Sequence, residues 1–274
     1  MAGQYGSVAD FSQAAAKSAR QGDPIIQLRS VTKTFDSAAG TVRALEPVDL
    51  DIHAGEFIAF VGPSGCGKST LLNIVASLIR PSAGTVILDG REMTEPSRDV
   101  GFMFQAPVLL PWRTVEKNVL MPAEVMGLPI EEVRSKAHEI IDLVGLRDFR
   151  DAYPRQLSGG MQQRASLARL LTYEPKVLLL DEPFGALDEF TREAMNLELA
   201  RIAKSAGITV LFVTHNIAEA IFLADRVVVM SPRPGRVSGV VDVPFAQPRP
   251  IEVMQEQAFT DMAFEVRTML GGAA

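Results

Sequence analysis

Cysteine occurs once in the 274 residues, at Cys66, so no intrachain disulfide can form and an oxidising compartment offers the fold nothing. No apolar run approaches the roughly 18 residues that a bilayer-spanning helix needs. The opening residues, Met1 to Asp23, lack the charged start and apolar core of a signal peptide. Residues 1–24, rich in Ala, Ser, Gln and Gly, are expected to be a disordered extension. Positive charge is in deficit too: the formal net charge is −6, which disfavours nucleic acid or anionic lipid as a direct partner. The chain is therefore expected in the cytoplasm, reaching any membrane only through another protein. There is no internal repeat.

What is present is an ordinary globular composition, 47% hydrophobic and 22% charged, enough for a large core. From Ile25 to Ile52 short strands are predicted over 26–31, 41–45 and 48–52, with a turn over 36–40, as in an antiparallel sheet with one wet face. The character then changes. Phe57 to Val61 is a continuous apolar run, as in a strand buried on both faces, and it leads through a Gly-rich loop into a helix predicted over Ser69–Arg80. That helix would bury Leu71, Ile74 or Val75, and Leu78. Similar runs at 85–88, 100–104, 177–180, 209–213 and 227–230, with helices such as 189–205 among them, imply a mostly parallel sheet covered on both sides. Residues 107–156 interrupt that rhythm. Their clearest element is a helix over 130–144, with Gly145 as its stop and Glu132–Lys136 as a supporting pair. After residue 235 come one or two short strands and an amphipathic helix near 251–270.

Gly62-Pro63-Ser64-Gly65-Cys66-Gly67-Lys68-Ser69 fits G-x-x-x-x-G-K-[ST], and Thr70, next in the chain, joins them as a nucleotide-binding candidate. Glycines let successive backbone N–H groups turn inward at a helix N-terminus, whose dipole favours anions. Lys68 can reach β- and γ-phosphates, and the Ser69 hydroxyl can ligate Mg²⁺. The strand before and the helix after supply the required context for an ATP site. Val177 to Leu180 then ends in Asp181-Glu182. In that position Asp181 can hold Mg²⁺ through water, and Glu182 can orient and deprotonate an attacking water. Apart from the cradle, a strand ending in Asp-Glu is more often only a strand end.

Leu157-Ser158-Gly159-Gly160-Met161-Gln162-Gln163-Arg164 resembles the signature motif of ABC ATPases. Physically it is a second anion site, Ser158 with the amides of Gly159 and Gly160 at the start of a helix running to about Leu171. One chain has no obvious use for two γ-phosphate sites, so the second is read as serving ATP held by another copy. The resemblance covers about Ile25 to Val237. It implies an α/β P-loop NTPase of ABC-ATPase type: a mostly parallel core sheet, an N-terminal antiparallel β-subdomain and an inserted α-helical subdomain. The domain would run over 25–245, the insertion over about 107–160 and a C-terminal helical tail over 246–274. By the same resemblance Gln105 links metal and γ-phosphate to the helical subdomain. Gly185-Ala186-Leu187-Asp188 crosses the dimer interface, His215 contacts the γ-phosphate, and Phe35 stacks on adenine. Glu182, His215 and Lys68 would be catalytic, and Ser69, Gln105 and Asp181 would hold the metal. His53 and His138 match no motif. Trp112 is placed in the core, with a partner contact as the alternative. Cys66 has no catalytic role, although its oxidation or alkylation should block nucleotide.

Asp181-Glu-Pro-Phe-Gly-Ala-Leu-Asp188 resembles the importer version of this segment, and Leu109 to Val115 resembles the nitrate, sulfonate and taurine group of importers. The short stretch after the core leads to the expectation that the large regulatory domain of sugar importers is not part of this reading. The implied partners are a second copy, membrane permease subunits and, through them, a solute-binding protein, with the chain peripheral on the cytoplasmic side of the membrane. The competing reading is a non-transport ABC ATPase of the iron–sulfur assembly type.

Overall fold

A computed structural model describes residues 22–37, 40–185 and 187–271; the expected N-terminal extension and part of the predicted turn, residues 38–39, lie outside them. The chain divides into two compact units, one formed by the residues up to Ser97 together with Ala200 onward, the other by Arg98–Leu199.

In the first unit, β1 (Ile26–Ser37) and β2 (Gly40–Ile52) pair antiparallel, with Ile26 opposite Ile52 and Phe35 opposite Val42. The short strands expected there are two long ones, because register shifts between Leu28 and Thr34 absorb the irregular stretch without breaking the ladder. β4 (Ala83–Leu88) joins the other edge of β1, also antiparallel, and carries β5 (Arg91–Glu92). The sequence reading grouped 85–88 with the parallel strands. Only Val86 and Leu88 of β4 are buried, the alternation of a strand with one wet face, so apolar content alone misplaced it.

β3 (Phe57–Val61) is buried at all five positions and lies parallel between β8 (Thr209–Val213) and β9 (Arg226–Met230). β10 (Val237–Asp242) closes the far side of β9 antiparallel. After β3 comes α1 (Lys68–Val75), which ends five residues earlier than predicted. Ser77 takes φ 57°, and Pro81 disfavours helical backbone at Arg80, so Leu78 falls outside the helix and is 44% exposed. The unit also holds α6 (Ile217–Leu223) and α7 (Gln257–Gly271). The predicted terminal helix is a 3₁₀ turn over Ile251–Gln255 and then α7, which buries Phe259 and Val266. The two are separated at Glu256, whose ψ of 143° is extended.

In the second unit, β6 (Val100–Met103) and β7 (Val177–Asp181) pair parallel. Beside them stand α2 (Val115–Met126), α3 (Ile130–Leu143) and α4 (Gly159–Leu171), packed on one another. α5 (Glu189–Ala206) starts in this unit and ends in the other. α2 has no clear signal in the residue pattern and carries Pro122 in its interior; Thr114 caps its start, accepting from the Lys117 amide, and Gly127 ends it at φ 69°. α3 stops as predicted, with Gly145 at φ 68°. Its expected Glu132–Lys136 pair does not form; Lys136 reaches Glu174 instead. Among the described residues no helix is long and apolar enough to cross a membrane.

Candidate functional site

The loop between β3 and α1 is held from below. Lys68 is 7% exposed, and its Nζ donates to the Gly62 and Pro63 carbonyls at 2.8 and 3.1 Å, with the Cys66 sulfur 3.7 Å away. Pro63, Ser64, Gly65 and Ser69 are exposed, whereas Cys66 is buried. Gly67 has φ 101°, open to glycine, and a side chain there would also meet Leu45 at 2.6 Å. Lys68 thus folds back on the loop's own carbonyls, and an incoming polyanion would compete for it.

Gly235 supports the loop from a distant part of the chain, and nothing in the sequence pattern announced it. Its N–H donates to Ala44 O and its carbonyl accepts from the Glu46 amide, at 2.9 and 2.8 Å. A Cβ there would lie 1.8 Å from the Cys66 carbonyl. Backbone must therefore move to admit any side chain, and overpacking of this kind costs about 1–3 kcal/mol. Gly235→Ala is expected to raise the Kd for ATP about tenfold through displacement of the cradle, measured by titration with a fluorescent ATP analogue. An unchanged Kd would show that the loop yields without cost. Phe35, on β1, is 41% exposed, with Lys33 Nζ 4.9 Å from its ring centroid. His215 is exposed and lies two residues after the end of β8, in the turn into α6.

In the second unit Asp181 closes β7 and is 8% exposed. Glu182 has φ 46°. A left-handed backbone at a non-glycine residue stores about 1–3 kcal/mol and persists where surroundings over-determine it, often at functional positions. Gln105, in the bend after β6, donates from Nε2 to Glu182 Oε2 at 3.4 Å. Gln163, buried on α4, donates to the Gln105 carbonyl at 3.4 Å and so ties that helix to the same bend. Gln105 and Glu182 are thus brought together, and Gln163 is a contributor that the sequence reading passed over.

The start of α4 presents Ser158 and Gly159 to solvent, with Gly160 half-buried. Ser158 Oγ accepts from the Met161 amide at 3.3 Å, capping the helix. A side chain on Gly160 would strike Leu187 at 2.3 Å. Arg164 donates to Val144 O at 3.0 Å, capping α3. Asp188 caps α5, accepting from the Thr191 amide at 3.0 Å; that bond holds its carboxyl below the usual carboxylate range. Ala186, between these groups, lies outside the described residues.

Trp112 is 71% exposed, so its assignment to the core was wrong. The loop that carries it is pinned from beneath by the fully buried Asn118, which donates to the carbonyls of Leu110, Arg113 and Thr114 at 3.1, 3.0 and 3.0 Å and accepts from the Leu110 amide at 2.8 Å. Asn118 holds the loop so the indole can face out. Beside it lies a groove of about 420 Å³ with Trp112, Leu120 and Ile130 among mixed charges from Arg113, Lys117 and Glu124. His138 meets Glu116 at 3.0 Å and joins α3 to α2.

Comparison with known proteins agrees with this arrangement. The family model described as ABC transporter matches residues 45–185. The aliphatic sulfonates import ATP-binding protein SsuB of Bacillus cereus is 43% identical over 84% of this chain and 92% of its own. The nitrate import ATP-binding protein NrtC of Synechococcus elongatus is 45% identical over 88% of this chain, which spans 37% of that longer protein. A dimeric, post-hydrolysis structure of the ATP-binding cassette MJ0796, bound to ADP and Pi, superposes with a TM-score of 0.73 at 35% identity, covering 80% of this chain and 98% of that one. With the cradle of 62–69, the strained carboxylate after β7 and the capped Ser158 helix in place, the chain belongs to the ABC transporter family, as one of its ATP-binding cassettes.

Proposed function

We propose that the chain is the ATP-hydrolysing subunit that powers import of a small oxyanion, of the sulfonate or nitrate kind, through a separate permease. It works as a head-to-tail pair in which each ATP sits between one copy's cradle and the other copy's Ser158–Gly160. The observation that carries this is the capped but solvent-facing start of α4, an anion-ready helix end with Ser158 and Gly159 exposed. Two import ATP-binding proteins and a dimeric cassette among its relatives support the import and pairing.

The residues divide the chemistry among themselves. Backbone amides from Gly62 to Ser69 and the Lys68 ammonium bind the phosphates, and Phe35 offers its exposed ring to adenine. Glu182 takes a proton from the attacking water, and Gln105, bonded to it, holds its carboxylate in place. His215 contacts the γ-phosphate, and Asp188 lies at the interface between copies. Loss of that phosphate removes the group bridging two chains, so the pair reopens; ATP drives closure because it binds the closed state better. Ser69, Gln105 and Asp181 offer hard oxygen donors, and among the described residues no cluster of three His, Cys, Asp or Glu forms an all-protein cage. That donor set fits Mg²⁺, which keeps waters and phosphate oxygens as ligands and would supply neutralisation of phosphate charge.

The permease docks at the groove beside Trp112, which places the chain peripherally on the cytoplasmic face of the membrane, and a solute-binding protein joins the assembly through the permease. Trp112→Glu would place a charge where a buried aromatic anchor is needed, and loss of such an anchor costs about 2 kcal/mol or more. It should therefore abolish co-purification of the membrane subunits from detergent extracts while ATP binding stays normal. Retention of the permease would move the docking surface elsewhere.

A further inference from the structure

Helix α6 (Ile217–Leu223) begins two residues after His215 and ends against a strap formed by residues 245–250. The last carbonyls of any helix lack intrahelical donors. Here four consecutive carbonyls are met by two side chains of the strap. Arg249 Nη1 donates to Ile221, Phe222 and Ala224 at 2.7, 2.8 and 2.9 Å, and Gln247 Nε2 donates to Leu223 at 2.7 Å. Arg249 Nε and Nη2 both donate to Phe245 O, at 3.0 and 2.8 Å, closing the strap on itself. Arg249 is 4% exposed. Burial draws its guanidinium down to about 10 against the pull of the Asp225 carboxylate, so it remains cationic at neutral pH and suits the negative end of the helix.

The other end of α6 is closed by a local hydrogen-bonded turn. The Thr214 hydroxyl bonds the Glu219 carboxylate, Thr214 Oγ1 accepts from the Asn216 amide at 3.0 Å, and Asn216 Oδ1 accepts from the Glu219 amide at 3.2 Å. His215 lies inside that closed turn. Seven residues make only about two turns, well short of the roughly 12 to 15 at which an isolated helix holds together in water. The position of α6, and of the turn at its head, is therefore set from outside the helix, by the packing of buried Ala220, Ile221, Phe222 and Leu223 together with the bonds at its far end.

We propose that Arg249 is a positioning residue for His215: by gripping the far end of α6 it fixes where the histidine meets the γ-phosphate. This rests on the reading of His215 given above. Nothing in the spacing of the Pro-rich segment, Pro244 to Pro250, announced such a role; it follows from the bonds.

The test is a double-mutant cycle in the full chain. Arg249→Met keeps bulk and removes the guanidinium donors. It should lower kcat for ATP about tenfold or more, since a misplacement of about 1 Å can cost ~10²-fold, while the Kd of a fluorescent ATP analogue stays within about twofold. In a His215→Ala background, followed by single-turnover hydrolysis, the same substitution should add no further loss. Arg249→Lys, able to reach some of the carbonyls, should recover part of kcat. An equal loss in both backgrounds, an unchanged kcat, or a Kd that weakens in step with kcat would each overturn the proposal. Should Arg249→Met fail to fold, Gln247→Met, which deletes only the Leu223 bond, runs the same cycle with a smaller loss that must again vanish without His215. Wild-type turnover by His215→Ala alone would remove the role of His215 and the inference with it. An inactive His215→Ala beside a fully active Arg249→Met would remove only the inference.

Discussion

Replacing Glu182 by Gln should cut steady-state ATP hydrolysis by about 10²- to 10⁴-fold, the range that a positioned general base contributes, while leaving ATP binding intact. The exchange is nearly isosteric. An amide oxygen at that position can still accept the 3.4 Å bond from Gln105, so the local structure after β7 should hold. What is lost is the ability to take a proton from water. A chain that binds ATP but cannot cleave it keeps the phosphate that bridges two copies, so a stable dimer should accumulate with ATP and Mg²⁺ and be visible by size-exclusion chromatography with light scattering. Rapid turnover in this variant would remove Glu182 from the base role. A slow variant that stays monomeric with saturating ATP would instead count against the bridged pair. The left-handed backbone at residue 182 makes the position sensitive in another way: any substitution other than glycine inherits strain of about 1–3 kcal/mol. Gln tolerates it about as well as Glu, which makes it the appropriate probe.

The second large effect is expected at the opposite end of the chemistry. Ser158→Arg should abolish hydrolysis and leave ATP binding by a single chain unchanged. Ser158 is exposed and caps α4 through its bond to the Met161 amide, so its removal costs about 0.5–2 kcal/mol of helix stability, too little to unfold a domain. The new guanidinium would stand at the positive end of the helix dipole and fill the space proposed for a phosphate. ATP held in the cradle of the same chain should not sense this; ATP held by the partner copy should. Equilibrium binding measured with the monomer at low concentration, beside hydrolysis at high concentration, separates the two. Loss of binding in the monomer would mean that residues 158–160 serve their own chain's nucleotide, and the composite arrangement would fall.

Both variants probe residues that were legible in the sequence, and the reason is local. The cradle at 62–69, the apolar run ending at Asp181-Glu182 and the Ser158 cap are each contiguous, and their chemistry depends on backbone freedom, helix ends and charge within a few residues. The fully buried strands β3, β7 and β8 were legible for a related reason, since four or five apolar residues in a row, bounded by turn residues, suit a short strand covered on both faces. Where the pattern was weaker, partners decided. β4 has the composition of a core strand but alternates in burial, and its place beside β1 depends on a pairing some 60 residues away in the chain. Trp112 looked like core by residue type, yet Asn118 holds its loop so that the ring faces out.

Sequence alone thus supplied the candidates, a phosphate-cradle motif, a carboxylate pair at a strand end and a capped helix start, because each is written in adjacent residues. Tertiary structure alone revealed that Gly235 must be bare to let the Cys66 carbonyl pass, that Glu182 sits in a strained backbone, and that Arg249 and Gln247 hold the end of α6. A buried carbonyl must find a donor, and a crowded backbone must find a gap, but physics does not require either to come from nearby in the chain.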